Sequence, residues 1–420
     1  MGFRRQMRYC RAPMAVDIKQ LPLGGRIGDF LDVVDYIYRA DPAFVRPLDM
    51  ELSDRLSPRK NPFFEHGEAA LFCAYRNGKP VGRCSASVDR EHLDRYHDAT
   101  GFFGFLDTVD DEEVAGALLA RAESWLRGKG MKRARGPLSL NINEELGCLI
   151  EGFDTPPYLM MPHHRPYQGR LIEEAGYAKV KDVYAWSYKV GELNRRVQKA
   201  HEEIGAMPEV TVRKMSLKHI ERDVDLLLEI FNETWSENWG FVPSTRAEAR
   251  KMASDFKLLL MPDITCIVNI DGAPAAMALA LPNLNGMIHD LGGSLVPLGL
   301  PKLLWRLKVQ GPRSARLVLL GIRKKYRAIR KYAGLSLFMY GEMNNGAKRL
   351  GIKDGELGWT LEDNGRINAG IAIMGARHYK TYRVYEKALF AGGSDAAAFS
   401  APIAAAHAAG PAGAAKDLAS

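Results

Sequence analysis

Cysteine is scarce in this chain. Cys10, Cys73, Cys84, Cys148 and Cys266 are an odd five among 420 residues, and no CxxC pair occurs. That argues against a disulfide framework or a zinc site, and it fits a reducing compartment. Long apolar runs are absent too: no stretch approaches the ~18 residues of a membrane-spanning helix. The N-terminal MGFRRQMRYCRAPM is basic and lacks the apolar centre of a signal peptide. The expected location is the cytoplasm, with association at a membrane surface left open. Acidic charge is in deficit: 50 Asp and Glu against 58 Lys and Arg leave +8 at pH 7. Such an excess favours an anionic partner, whether nucleic acid, an anionic membrane or a phosphorylated cofactor, and does not choose among them.

The remainder is ordinary for a globular chain, 46% hydrophobic and 26% charged. Its length exceeds one average core, so two domains are expected. The tail from 392 to 420 is rich in Ala, Gly, Pro and Ser without apolar periodicity and reads as disordered; residues 1–14 read as loose or as an overlong start. Between them one element order occurs twice. In the second half a strand at 209–216 precedes a helix at 220–237, then two strands about the Asp271-Gly272 turn, then the strand RLVLLGI, a helix from 335 to 349, a strand, a short helix and a closing strand. In the first half a helix at 25–40, a hairpin about Asn77-Gly78, the strand GFFGFLD, a helix at 111–130 and a closing strand at 178–190 follow the same plan. The expected division is 15–190, a helical linker at 191–207, and 208–391.

One loop stands out. RKKYRAIRKYAGLS, residues 323–336, lies between a strand and a helix, and its first ten residues carry six positive charges and no negative one. A helix start presents open N–H groups and a favourable dipole to an anion, and Gly334 would let backbone come close to a ligand. A solvated basic face, or an RNA or lipid contact, is the plainer alternative. The pattern is neither a Walker P-loop nor GxGxxG.

KYAGLS resembles the R/Q-x-x-G-x-G/A loop by which the GNAT acyltransferase superfamily cradles the pyrophosphate of coenzyme A, with Lys331 for Arg and Ser336 for Gly. Gly351 in KRLGI, Glu362-Asp363-Asn364 and Gly375 fall where that superfamily places its later markers. The resemblance covers about 207–389. The loop is about four residues longer than usual, and Ile371 stands where a thiolate-protonating tyrosine is common. The resemblance implies that acyl-CoA is held by Ile322, Arg323, Lys324, Lys325, Arg330, Lys331, Tyr332, Ala333, Gly334, Leu335, Ser336 and Asn364. The first half has the same outline, but DTVDDEE (107–113) places acidic residues where a cradle would lie. A degenerate repeat that binds no CoA and helps shape the acceptor site is expected.

FFGFLD, the run from Gly136 to Trp186, NETWSENWGFVP and ELGWTLEDN resemble a bacterial family of tandem GNAT proteins that includes a ceramide synthase. The resemblance implies two GNAT-like α/β domains with mixed sheets, and N-acylation of a long-chain amine, a sphingoid base, from acyl-CoA. No metal or nucleic acid is expected. A non-catalytic lipid- or nucleic-acid-binding protein and an aminoacyl transferase are the rivals.

Amide formation from an ammonium needs a base. The candidates are Glu362 at a strand end, His289 with Asp290 as base and orienter, and His164 in MMPHHRP, where at most one of His163 and His164 can act. Helix capping is the plain alternative for Glu362, and a solvated loop for His289. Trp235, Asn238, Trp239 and Phe241, with Tyr158 and Met160, are candidates to wall the acyl or sphingoid chain, against ordinary core packing. Cys148 has nothing in view to activate it. The insertion SLVPLGLPKLLWRLKVQGPR (294–313) mixes Leu and Trp with Lys and Arg, as an interfacial helix on an anionic inner membrane would, and as a core-facing surface helix also can.

Overall fold

The computed structural model describes residues 15–390, so the expectations for 1–14 and 392–420 lie outside the described residues. Thirteen strands are β1 (Asp17–Leu21), β2 (Gly67–Arg76), β3 (Lys79–Asp89), β4 (Thr100–Thr108), β5 (Arg133–Gly136), β6 (Cys148–Glu151), β7 (Ala178–Lys189), β8 (Val210–Arg213), β9 (Thr265–Ile270), β10 (Ala273–Pro282), β11 (Ser314–Ile322), β12 (Asp354–Leu361) and β13 (Arg377–Ala388). They form one mixed sheet flanked by helices, in the order β1-β2-β3-β4-β5-β13-β7-β12-β11-β10-β9-β8, with β6 on β13.

Local chemistry sets the hairpins. Asn77-Gly78 and Asp271-Gly272 adopt positive φ in both turns, which Asn, Asp and Gly tolerate best. Asp111 caps the Glu112–Gly128 helix through the N–H groups of Glu113 and Val114. That helix buries Val114, Leu118, Leu119 and Leu126 against Phe72 and Phe103. In the second half the Leu335–Arg349 helix buries Leu335, Phe338 and Met339 over Cys266 and Val268.

The centre of the sheet is where the halves exchange strands. β13, from the second half, pairs with β5 (Tyr385↔Gly136 to Ala388↔Arg133) and with β7. β7, from the first half, pairs with β12 (Asp354↔Lys189 to Leu361↔Val183). Each half therefore completes its sheet with the other's last strand. The expected linker is a packed helix, Arg195–Gly205, that buries Val197, Ala200 and Ile204. Split into residues 15–190 and 191–390, neither piece is expected to show a cooperative thermal transition alone, while co-expression restores one. Parental melting of either piece alone would refute the exchange.

Candidate active site

β11 and β12 run parallel only from Ser314↔Asp354 to Leu317↔Leu357. Beyond that point β11 stays with β10 and β12 with β7, so the two diverge and open a wedge. Arg316 spans its root. Its guanidinium donates to Leu159 O at 2.8 Å and Gly358 O at 3.1 Å, and its Nε lies 3.0 Å from Glu356 Oε1. Glu356 also accepts from the Tyr379 hydroxyl. Burial pushes the Glu356 carboxyl up, and Arg316 opposes that shift. Removing one member of such a pair leaves a buried charge uncompensated. Arg316→Met should cost ~3–5 kcal/mol in urea unfolding.

A largely apolar cavity of about 230 Å³ opens from the wedge. Val318 and Leu319 form one side. Leu227, Leu228 and Phe231 on the Ile220–Thr234 helix form the other, because its apolar residues recur at three- and four-residue spacing toward the sheet. Ala249 and Met252 come from the Arg246–Asp255 helix, which starts on a Thr245–Glu248 capping box. The first half adds Ile142, Asn143 and Glu144. It also clamps the aromatic wall: Tyr96 Oη donates to Phe241 O at 3.0 Å, Asn143 Nδ2 to Val242 O at 3.2 Å, and the Arg135 guanidinium lies 5.3 Å from the Trp239 ring. Among the described residues, the ionisable side chains on the wall are Glu144 and Arg316.

Arg55 approaches Glu144 at 3.6 Å, Glu145 at 3.3 Å and Glu51 at 2.8 Å. Desolvation outweighs Arg55, and the neighbouring carboxylates add to it, so Glu144 is pushed up to about 7. It keeps 29% of its side-chain surface open. Close by, His66 joins the halves, with Nδ1 2.9 Å from Asp89 and Nε2 3.2 Å from Glu248. Hydrogen bonds to these carboxylates raise His66 from 6.5 to about 10. A raised histidine contributes stability that is full below about 6.5 and is lost as pH climbs through about 10. The stability gap between the parent and His66→Gln should therefore shrink across that window in urea titrations, and a constant gap would refute the ion-pair role.

The 323–336 loop joins β11 to the Leu335–Arg349 helix. No side chain caps that helix, so no side chain competes for its leading N–H groups. The matching helix of the first half is filled at its start by Asp111, and Arg76 pairs with Asp111 and Glu113. The matching wedge of the first half is also closed: Leu138 N donates to Phe103 O at 2.7 Å, and Leu138 O sits where a Cβ on Gly104 would lie.

Much of the loop's charge is committed. Arg323 lies 2.7 Å from both Glu229 and Glu233, Lys324 meets Glu237 at 2.7 Å, Lys331 pairs with Glu209, and Arg327 donates to Ile322 O and Thr234 O. Lys325 and Arg330 are exposed without a carboxylate partner among the described residues. Gly334 has φ −83°, and the close approach it permits is to Ala200 and Ile204 of the Arg195–Gly205 helix rather than to open space.

Trp235, Asn238, Trp239, Phe241 and Met160 all line the cavity. Tyr158 does not; it lies near Glu356 and Ser314 behind the wall. The base candidates also fall elsewhere. His289 is exposed and faces Gly286 O at 3.2 Å, while Asp290 is held by Lys302 and Arg306, so the base–orienter pair does not form. His164 is buried, accepts from Leu149 N at 3.1 Å and is pushed down to about 4 by desolvation, which keeps it neutral and structural. His163 is 3.1 Å from Asp41. Glu362 accepts from Lys179 at 2.7 Å and Asp182 N at 3.0 Å and misses the cavity, and Asn364, not Glu362, caps the Gly365–Ile373 helix. Cys148 is buried and its thiol is pushed up. Glu144 carries little signal in the sequence, only an acidic pair after Asn-Ile-Asn, which is common in loops. No group of three His, Cys, Asp or Glu side chains is placed to hold a metal among the described residues.

The architecture matches solved tandem GNAT structures. A tandem GNAT protein from the clavulanic acid biosynthesis pathway aligns at TM-score 0.55 with 11% identity, over 90% of this chain and all of that one. A GCN5-related N-acetyltransferase from Sphaerobacter thermophilus aligns at TM-score 0.51 with 12% identity, over 90% and 97%. The chain thus has the tandem GNAT fold. No family model matches it. It is 42% identical over 358 residues to the bacterial ceramide synthase of Caulobacter vibrioides, covering 83% of this chain and 91% of that one. It is 40% identical to protein YghO of Escherichia coli, over 85% and 92%. The chain belongs to the bacterial ceramide synthase family.

Proposed function

We propose that the chain transfers a fatty acyl group from acyl-CoA to the amine of a sphingoid base. The observation that carries this reading is the apolar cavity opening at the β11–β12 wedge, beside the uncapped start of the Leu335–Arg349 helix. Bulky Leu, Phe and Trp side chains suit an alkyl chain; a small polar acceptor would leave them unused. The relative named bacterial ceramide synthase supports the same substrate class. The wedge offers unpaired strand edges to a pantetheine arm, and the open helix start offers N–H groups to a pyrophosphate. Among the described residues of the loop, Lys325 and Arg330 are exposed without a carboxylate partner and are proposed to meet a phosphate. Reversing both to Glu should weaken palmitoyl-CoA binding roughly tenfold by calorimetry.

The 294–313 insertion supports contact with an anionic inner-membrane surface. Leu298, Trp305 and Val309 are exposed, while Leu303 and Leu307 pack with Phe256, a cavity residue. The Gly299–Trp305 helix thus presents apolar side chains beside the cavity. Asp290 pairs with both Lys302 and Arg306 and cancels one of their two charges, so apolar insertion and headgroup attraction both contribute. No helix among the described residues is long and apolar enough to cross a membrane.

The direct test is thiol release from palmitoyl-CoA with sphinganine, 3-ketosphinganine or a short polyamine, with products read by mass. Amide formation with a long-chain amine is expected, and Ala249→Trp, which fills the cavity, should depress palmitoyl transfer far more than acetyl transfer. Equal rates with the polyamine would sink the lipid reading.

A further inference from the structure

The acyl acceptor reaches the enzyme as an ammonium and must become an amine. The side chain that removes its proton has to lie on the cavity wall, because a nucleophile that bonds to a thioester at the wedge is enclosed there. His289, Asp290, His164 and Glu362 all lie off that wall. Glu144 is its one carboxylate among the described residues. The opposite charge on the wall, Arg316, is consumed by Glu356 and by the carbonyls of Leu159 and Gly358.

We propose that Glu144, reaching into the second half's cavity from the first half, is the general base that takes the proton from the substrate ammonium, and that Arg55 is its positioning residue. This rests on the N-acylation reading above. Glu144 sits in a loop fixed from both sides. Ser139 N donates to Glu145 O at 2.9 Å, and Asn143 N donates to Asn141 Oδ1 at 3.0 Å. Asn143 then reaches Val242 O across the interface. Glu144 lines the cavity, and Arg55 lies 3.6 Å from its carboxylate, beyond a tight hydrogen bond. The charged groups around it are Arg55 and Glu51 on the Asp49–Arg55 helix, Glu145 beside it in the loop, and Glu248 on the Arg246–Asp255 helix. Glu248 is held by His66 and the Thr245 N–H, so its charge is spent outward. Desolvation, with the remaining repulsion, pushes the Glu144 carboxyl up to about 7, the range in which a base for an ammonium works best.

The balance closes with these groups. The ammonium gives one proton to Glu144. The freed nitrogen bonds to the thioester carbonyl carbon, the C–S bond breaks, and its electron pair goes to sulfur. The nitrogen's second proton ends on that thiolate, the third remains on the amide, and Glu144 returns its proton to water.

The test uses the full chain and whichever amine the parent acylates, read as thiol release against pH. Glu144→Gln should lower kcat by ~10²–10⁴-fold, leave palmitoyl-CoA binding unchanged by thermal shift, and abolish the rise of kcat with pH near neutrality. Glu144→Asp should restore part of the rate. Arg55→Met removes a positive neighbour, so it should move the ascending limb to higher pH while Glu144 remains in place. A Glu144→Gln rate within about threefold of the parent, with the limb retained, overturns the assignment. Acylation of a short polyamine alone, with these Glu144 effects intact, refutes the lipid acceptor and leaves the base standing. A parent that acylates no amine refutes both.

Discussion

The pairing of β13 between β5 and β7 is the constraint on which everything else depends. It welds two GNAT-type halves into one sheet. Because β7 in turn closes on β12, the second half cannot hold its wedge open without a strand of the first. The loop that carries Glu144 leaves β5 and returns in β6, and both strands pair with β13, so its ends are held to the shared sheet by backbone hydrogen bonds. A base borrowed from another domain is useful only when its placement is that rigid.

The two halves share a plan and have been driven apart at one place. In the second, a helix start is left bare and a wedge is left open. In the first, Asp111 fills the helix start and the chain from Leu138 onward fills the wedge. The same geometry yields a ligand site or a packed core according to a few side chains. The first half gives up an anion site and gains a loop that can carry a carboxylate across to its neighbour.

Much of this was legible from residues alone. The Asn77-Gly78 and Asp271-Gly272 turns and the Leu335–Arg349 helix are set by local chemistry, and they stand where local reading puts them. The strand exchange was not legible, because the pattern of Ala178–Lys189 states that it is a strand and nothing about its partner. Long-range charge was the other blind spot. The basic loop looked free until Glu229, Glu233 and Glu237, almost a hundred residues earlier, lay against it. Glu144 follows the same rule: its raised ionisation comes first from burial, then from Glu51, Glu145 and Glu248 against the opposing Arg55, and of these only Glu145 is its neighbour in sequence.

The exchange also bears on how the chain comes off the ribosome. β5 emerges early, yet the strand that completes its edge, β13, is among the last described segments to be synthesised. Until then the nascent first half presents an unpaired edge at β5 and a β7 that lacks β12. It must wait in that state through the translation of the entire second half, when exposed edges are most prone to wrong pairings. Production of the protein should therefore be governed less by its final stability than by protection of that one vacant slot during synthesis.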